Sequence, residues 1–243
     1  MDSATGTEER SKAVVNGIVG KVKLVITNPV EFYRTMPKTG GFGDPLVFLA
    51  VLAAVSAVVR AVLGLLHISG SASIGMAIGS IIGTPIAAAI FGFVGAAIVF
   101  VIWKIMGSSE NYETAYRCMA YSAAIMPIAA VAGVVPYVGA LVGLAWGLYL
   151  NVTASVEVHK IAVKKAWLVF GILAAIAAMF SISGQIAVRR AQTFGENMKS
   201  MSQSMKGVDG KNVTPEDAGR AAAEFMRGFE KEAKKAQAEA AKP

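Results

Sequence analysis

The chain has 243 residues, 55% of them hydrophobic and 16% charged, with a mean hydropathy of +0.56. One water-soluble domain of that size would have too few polar residues to cover its surface, so the composition is that of an integral membrane protein. The net charge of +7 is spread over both ends with no aromatic-interleaved basic patch, which gives no support to nucleic-acid binding.

The first 44 residues hold neither a cleavable signal nor a span, since charges begin at Asp2, Glu8, Glu9 and Arg10 and no apolar h-region follows. From Val14 to Ile26 the residues Val14, Val15, Ile18, Val19, Val22, Val25 and Ile26 recur at helical spacing, with Lys12, Asn16 and Lys23 falling mostly elsewhere. This predicts an amphipathic helix lying on a surface. Asn28 and Pro29 end it and start another short turn, because proline disfavours helix at the residue before it.

A membrane-crossing helix needs ~20 mostly apolar residues. Five stretches qualify, at about 45–66, 74–103, 114–131, 136–156 and 166–188. The fold class is therefore all-α, a polytopic bundle of five transmembrane helices over residues 45–188. The second stretch is long enough to require a tilt, a bend at Pro85 or a late start. The third is the least apolar, with Arg117 and Tyr121 near its start. Pro85 and Pro127 are the two expected helix breaks.

Lysine and arginine set the orientation. Arg10, Lys12, Lys21, Lys23, Arg34 and Lys38 precede the first span, Lys104 follows the second, and Lys160, Lys164 and Lys165 follow the fourth, while residues 67–73 and 132–137 carry no basic residue. The positive-inside rule then makes the N-terminus cytoplasmic, and an odd number of spans sends the C-terminus outside. Residues 189–243 form a separate tail. Its 195–213 stretch reads as a flexible linker, and Thr214 and Pro215 open an amphipathic helix with Ala218, Ala221, Ala222, Phe225, Met226 and Phe229 on one face.

Glycines four residues apart let two helix backbones approach closely in lipid. Gly139, Gly143 and Gly147 form such a zipper on the fourth span, and Gly75, Gly79 and Gly83 repeat it on the second. They predict a tight bundle or a homo-oligomer. Two polar residues within spans, Arg60 and Asn151, mark a candidate intramembrane polar site; Arg60 is near enough to the outer boundary to snorkel, and Asn151 has the chemistry to bond a neighbouring helix. Glu113, Arg117 and Glu157 fall near the cytoplasmic boundary, where they are expected to pair.

No catalytic residue, cofactor site or metal site is indicated. Ser/His/Asp order, phosphate-binding glycine loops, HExxH and carboxylate pairs within a span are all missing from the sequence. The one cysteine, Cys118, excludes an intramolecular disulfide, and His67 and His159 read as isolated helix-end residues. Asn212-Val213-Thr214 is a glycosylation acceptor pattern that matters only in a glycosylating lumen.

Pro29 to Phe32, the approach from Met36-Pro37 to Asp44-Pro45, the run from Tyr116 to Pro127, and the glycine-rich fourth span ending at His159 resemble the Yip domain family, the Ypt/Rab-interacting-protein fold of five membrane helices. The resemblance covers about residues 20–188. It implies a cytoplasmic N-terminus and, in eukaryotic members, vesicle trafficking and GTPase recruitment. The Asp-Leu-Tyr-Gly-Pro element of those members is missing, and the chain looks more like the prokaryotic members, in a cytoplasmic membrane.

Two functions follow as expectations. One is a non-enzymatic membrane scaffold that organises lipids and protein partners of unknown identity through its N-terminal and tail helices. The other is a small carrier or channel for a lipid or an anion, using Arg60, Asn151 and the two proline breaks.

Overall fold

The computed structural model describes residues 2–66, 73–135 and 137–207, and within the tail 220, 223, 224, 227, 228 and 231; side chains are described from residue 13 onward, except 198–207. His67, Pro136, the Asn212 acceptor pattern, and Thr214 with most of the expected tail helix lie outside the described residues. The elements are all helical: α1 Asp2–Thr27, α2 Pro29–Thr35, α3 Gly43–Leu65, α4 Ile74–Ile105, α5 Tyr112–Ser122, a 3₁₀ turn Ala123–Ile125, α6 Met126–Ala132, α7 Val138–Glu157 and α8 Val163–Gly207. Two compact units are present, Met1–Gln185 and Ile186–Pro243.

Local chemistry fixes most boundaries. Asn28 caps α2 by accepting the Glu31 N–H at 3.2 Å, with Pro29 in the first turn, where its missing donor is not needed. Ser73 and Asn111 cap α4 and α5 in the same way, accepting from Met76 and Thr114 at 3.3 and 2.9 Å. The 3₁₀ turn lies just before Pro127, whose ring clashes with a carbonyl four residues back. Pro127 thus interrupts the third span.

Pro85 does not interrupt the second, since α4 runs unbroken through it. In lipid a helix that stops leaves several backbone groups without water to bind, so losing one hydrogen bond to a proline is the smaller cost. The stretch expected to be a linker from 195 is helical as far as Gly207. Glu196, Met198, Lys199, Met201, Gln203, Met205 and Lys206 are good helix formers, and Gly195 is the sole glycine there before Gly207.

Five helical segments are long and apolar enough to cross a membrane: Gly43–Leu65, Ile74–Ile105, Tyr112–Ala132, Val138–Glu157 and Val163–Asn197. In the first unit α3 packs on α4 and α6, α7 packs on α6 and α2, and α5 touches α1, α3, α4 and α7. The third span, the least apolar, is thereby the most enclosed. Half of its most apolar stretch is buried inside the protein, against 11% for α4 and for the fifth span. Lipid would leave its polar groups unbonded, whereas protein neighbours satisfy most of them, the buried Tyr116 hydroxyl being an exception.

The core centres on aromatic rings around α5. Tyr121 meets Phe32 of α2 and Phe48 of α3 edge-to-face at 5.1 Å each, and Tyr116 stacks on Phe93 of α4 at 4.2 Å. Such pairs add roughly 0.5–1.5 kcal/mol beyond the area they bury.

Candidate functional site

The polar side chains gather at the end of the bundle where α2, the 36–42 loop, the 106–111 loop and the ends of α5 and α7 meet. This end carries Lys38, Lys104 and Lys160.

Residues 36–42 turn back through Gly40 and Gly41, at φ 119° and 80°, where a side chain is strained. The exposed backbone groups of that turn are taken by α5. Arg117 Nη2 donates to the Gly41 carbonyl at 2.8 Å, and Glu113 accepts the Gly41 N–H at 2.7 Å. Arg117 is 3% exposed and also reaches Glu113 at 3.4 Å. A Cβ at Gly40 would stand 3.0 Å from the guanidinium, a tight contact that adds to the strain of its positive φ. Lys38 pairs with Glu110 at 2.6 Å, linking the two loops. The pairing expected of Glu113 and Arg117 is present, but Glu157 pairs with Arg34 of α2, which grips both its oxygens at 3.1 and 3.2 Å.

Deeper in, Tyr33 donates to the Cys118 carbonyl at 3.2 Å, and burial pushes its phenol well above its ordinary pKa, so it stays a neutral donor. Beside it lies a second network that sequence reasoning did not anticipate. Trp103, fully buried at the end of α4, donates to Ser155 Oγ at 2.7 Å, and Ser155 donates to the Asn151 carbonyl at 2.6 Å. The His159 ring stacks on Trp103 at 3.8 Å, and its Nδ1 meets Ser108 Oγ at 2.7 Å. Ser108 also accepts the Glu110 N–H at 3.2 Å. Desolvation lowers the His159 pKa to about 4, so the imidazole is neutral. Its Nε2 is buried and without a partner among the described residues. The signal available in the sequence was that Trp103 and His159 each end an apolar run on the same basic side.

The anticipated polar pair is not brought together. Arg60 is exposed on the surface of α3, while the Asn151 side chain donates to Gly147 of its own helix at 2.8 Å rather than to a neighbour. The glycines divide. Gly139 lies so close to α6 that a Cβ there would sit 2.5 Å from Gly133 Cα and 2.7 Å from the Ala129 carbonyl oxygen, and one at Gly143 would meet the Ala129 Cβ at 3.6 Å. Gly147, Gly75, Gly79 and Gly83 face open space. On α4 the close approaches come from Gly92, where a Cβ would meet the Leu49 side chain at 2.6 Å, and from fully buried Ala96. Among the described residues no group of three His, Cys, Asp or Glu is placed to hold a metal ion.

The Yip1 domain model matches residues 23–184. The chain belongs to the Yip1 domain family. No curated protein and no solved structure matches it. The match opens two residues before Val25, the first fully buried side chain among those described in α1, and closes one residue short of the end of the first unit at Gln185. The family region thus coincides with the part of the chain that packs as a bundle. This is a multi-pass membrane protein of that family.

Proposed function

We propose that this Yip1-domain protein is a non-enzymatic membrane scaffold, multi-pass in a prokaryotic cytoplasmic membrane, that organises lipids and partner proteins. The observation that carries this reading is how the polar groups at the basic end are used. Arg117, Glu113, Lys38, Glu110, Arg34, Glu157, Tyr33 and Trp103 each bond another part of the same bundle, fastening the loops and α2 into one platform. Groups committed in this way hold a surface in shape. A carrier for a lipid or anion has less support, because Arg60 and Asn151 do not converge on a shared path.

On this reading the N-terminus is cytoplasmic, the C-terminus lies outside, and Gly75, Gly79 and Gly83 offer α4 to a second copy in a homo-oligomer. Cross-linking the full chain in native membranes should trap a dimer or larger, or a partner protein, and purification should retain lipid. A strictly monomeric species with neither lipid nor partner overturns the proposal. Solute flux into proteoliposomes that is lost in Arg60→Ala or Asn151→Leu would establish the carrier instead.

A further inference from the structure

The geometry points to the stretch of α1 around Val14, Val15 and Val19 as a docking surface for an anionic lipid bilayer. The apolar stripe of this helix has one end inside the protein and one end outside it. Val25 is fully buried, and Ile18, Val22 and Ile26 pack partly against the core. Lys21 lies with its Nζ 5.5 Å from the centre of the Tyr121 ring, on the side of the helix that faces the bundle. On the same arc, beside half-buried Ile18, Val14, Val15 and Val19 stay between 50% and 60% exposed. Asn16, Gly20, Lys23 and Thr27 form the opposite face.

Two observations select lipid as the occupant. The bare valines continue a stripe whose other end is covered by a bundle of membrane-crossing helices, so the surface that meets the outside of that bundle is in reach of α1. After Asp2, Glu8 and Glu9 at the start of α1, residues 10–27 also carry Arg10, Lys12, Lys21 and Lys23 and no acid, so the charge flanking the bare valines is the one that anionic headgroups attract. An amphipathic helix of this kind sinks its apolar face ~5–10 Å into the headgroup and acyl boundary. The inference rests on the scaffold reading for its purpose, naming the bilayer surface as what α1 organises.

The test uses the full chain in vesicles of phosphatidylcholine containing about one-third phosphatidylglycerol. Val15→Cys and, on the opposite face, Asn16→Cys each carry an environment-sensitive fluorophore, with mock-labelled wild type correcting for buried Cys118. A nitroxide lipid labelled near the headgroup should quench most of the Val15→Cys emission and little of the Asn16→Cys emission. The difference should shrink in pure phosphatidylcholine or at high salt. Equal quenching at the two positions, or none at either, overturns the proposal. An unquenched Val15→Cys that cross-links to itself would instead assign the stripe to a second copy. Because quenching needs neither a partner nor an oligomer, a monomeric chain that fails the scaffold test could still be quenched at Val15, so the two failures are distinguishable.

Discussion

Gly139 and Gly147 occupy equivalent places in one glycine pattern, yet alanine at the two sites should act in opposite directions. At Gly139 the added methyl would stand 2.5 Å from Gly133 Cα and 2.7 Å from a carbonyl oxygen, both of them backbone. No side-chain rotamer can relieve that contact, so α6 and α7 must separate. Overpacking of this sort costs about 1–3 kcal/mol. At Gly147 nothing lies within 4 Å, and the change gains helix propensity of up to ~1 kcal/mol. The two variants should therefore differ by about 1–4 kcal/mol, roughly 2–16 °C in melting temperature for a chain of this size. Cys118 supplies the assay, being the sole thiol and 2% exposed, so that a thiol-reactive dye reports unfolding of the purified chain in detergent. Equal melting temperatures, or a larger loss at Gly147, would refute the close approach of α6 and α7.

Three further outcomes are expected. His159 has a pKa of about 4 when folded and an ordinary value near 6.5 when unfolded, so the unfolded chain binds the extra proton between those values. Stability should be flat above pH 6.5 and fall by about 3 kcal/mol as the pH drops toward 4. A pH series of melting curves should show that component missing in His159→Gln. Arg117→Met should cost about 3 kcal/mol, since it strands the Gly41 carbonyl and takes from Glu113 its charge partner at a nearly closed site; Arg34→Met, which removes the pair with Glu157 whose arginine is mostly exposed, should lower the melting temperature less. Trp103→Phe should lose about 1–2 kcal/mol by leaving the buried Ser155 hydroxyl without its donor, and Ser155→Ala in the same background should add little further, as a double-mutant cycle of melting free energies would reveal.

The spans were legible because lipid imposes a length and composition that few other settings demand, and their limits in the structure fall within a few residues of the apolar runs, except where the fifth helix carries on past Val188. The N-terminal caps were legible for a related reason: Asn28 and Pro29 act on residues three or fewer away. The glycine zippers were legible only as pattern. Spacing says that Gly75, Gly79 and Gly83 share a face, but the roll of α4 decides what that face meets, and this roll presents Gly92 and Ala96 to the bundle instead. The Trp103, Ser108, Ser155 and His159 network joins residues about fifty apart and obeys no periodicity. Asn151 shows the limit most plainly. A lone amide in a span needs a partner in lipid, yet sequence cannot choose between a neighbouring helix and the carbonyl one turn back, and here the nearer group wins.

The third span explains why the N-terminal helices belong to the fold. A segment carrying Glu113, Thr114, Arg117 and Tyr121 is a poor solute in hydrocarbon, and its neighbours α3, α4 and α7 are themselves apolar rods with few hydrogen bonds to offer. The missing partners come from the residues before the first span. Gly41 offers a carbonyl and an N–H, the Lys38 carbonyl accepts from Thr114 at 3.2 Å, Tyr33 caps the Cys118 carbonyl, and Phe32 seals Tyr121. In the folded chain the residues before the first span and α5 thus satisfy one another's polar groups. A polar span is costly in hydrocarbon, and the segment before the first span supplies the hydrogen bonds that lipid does not.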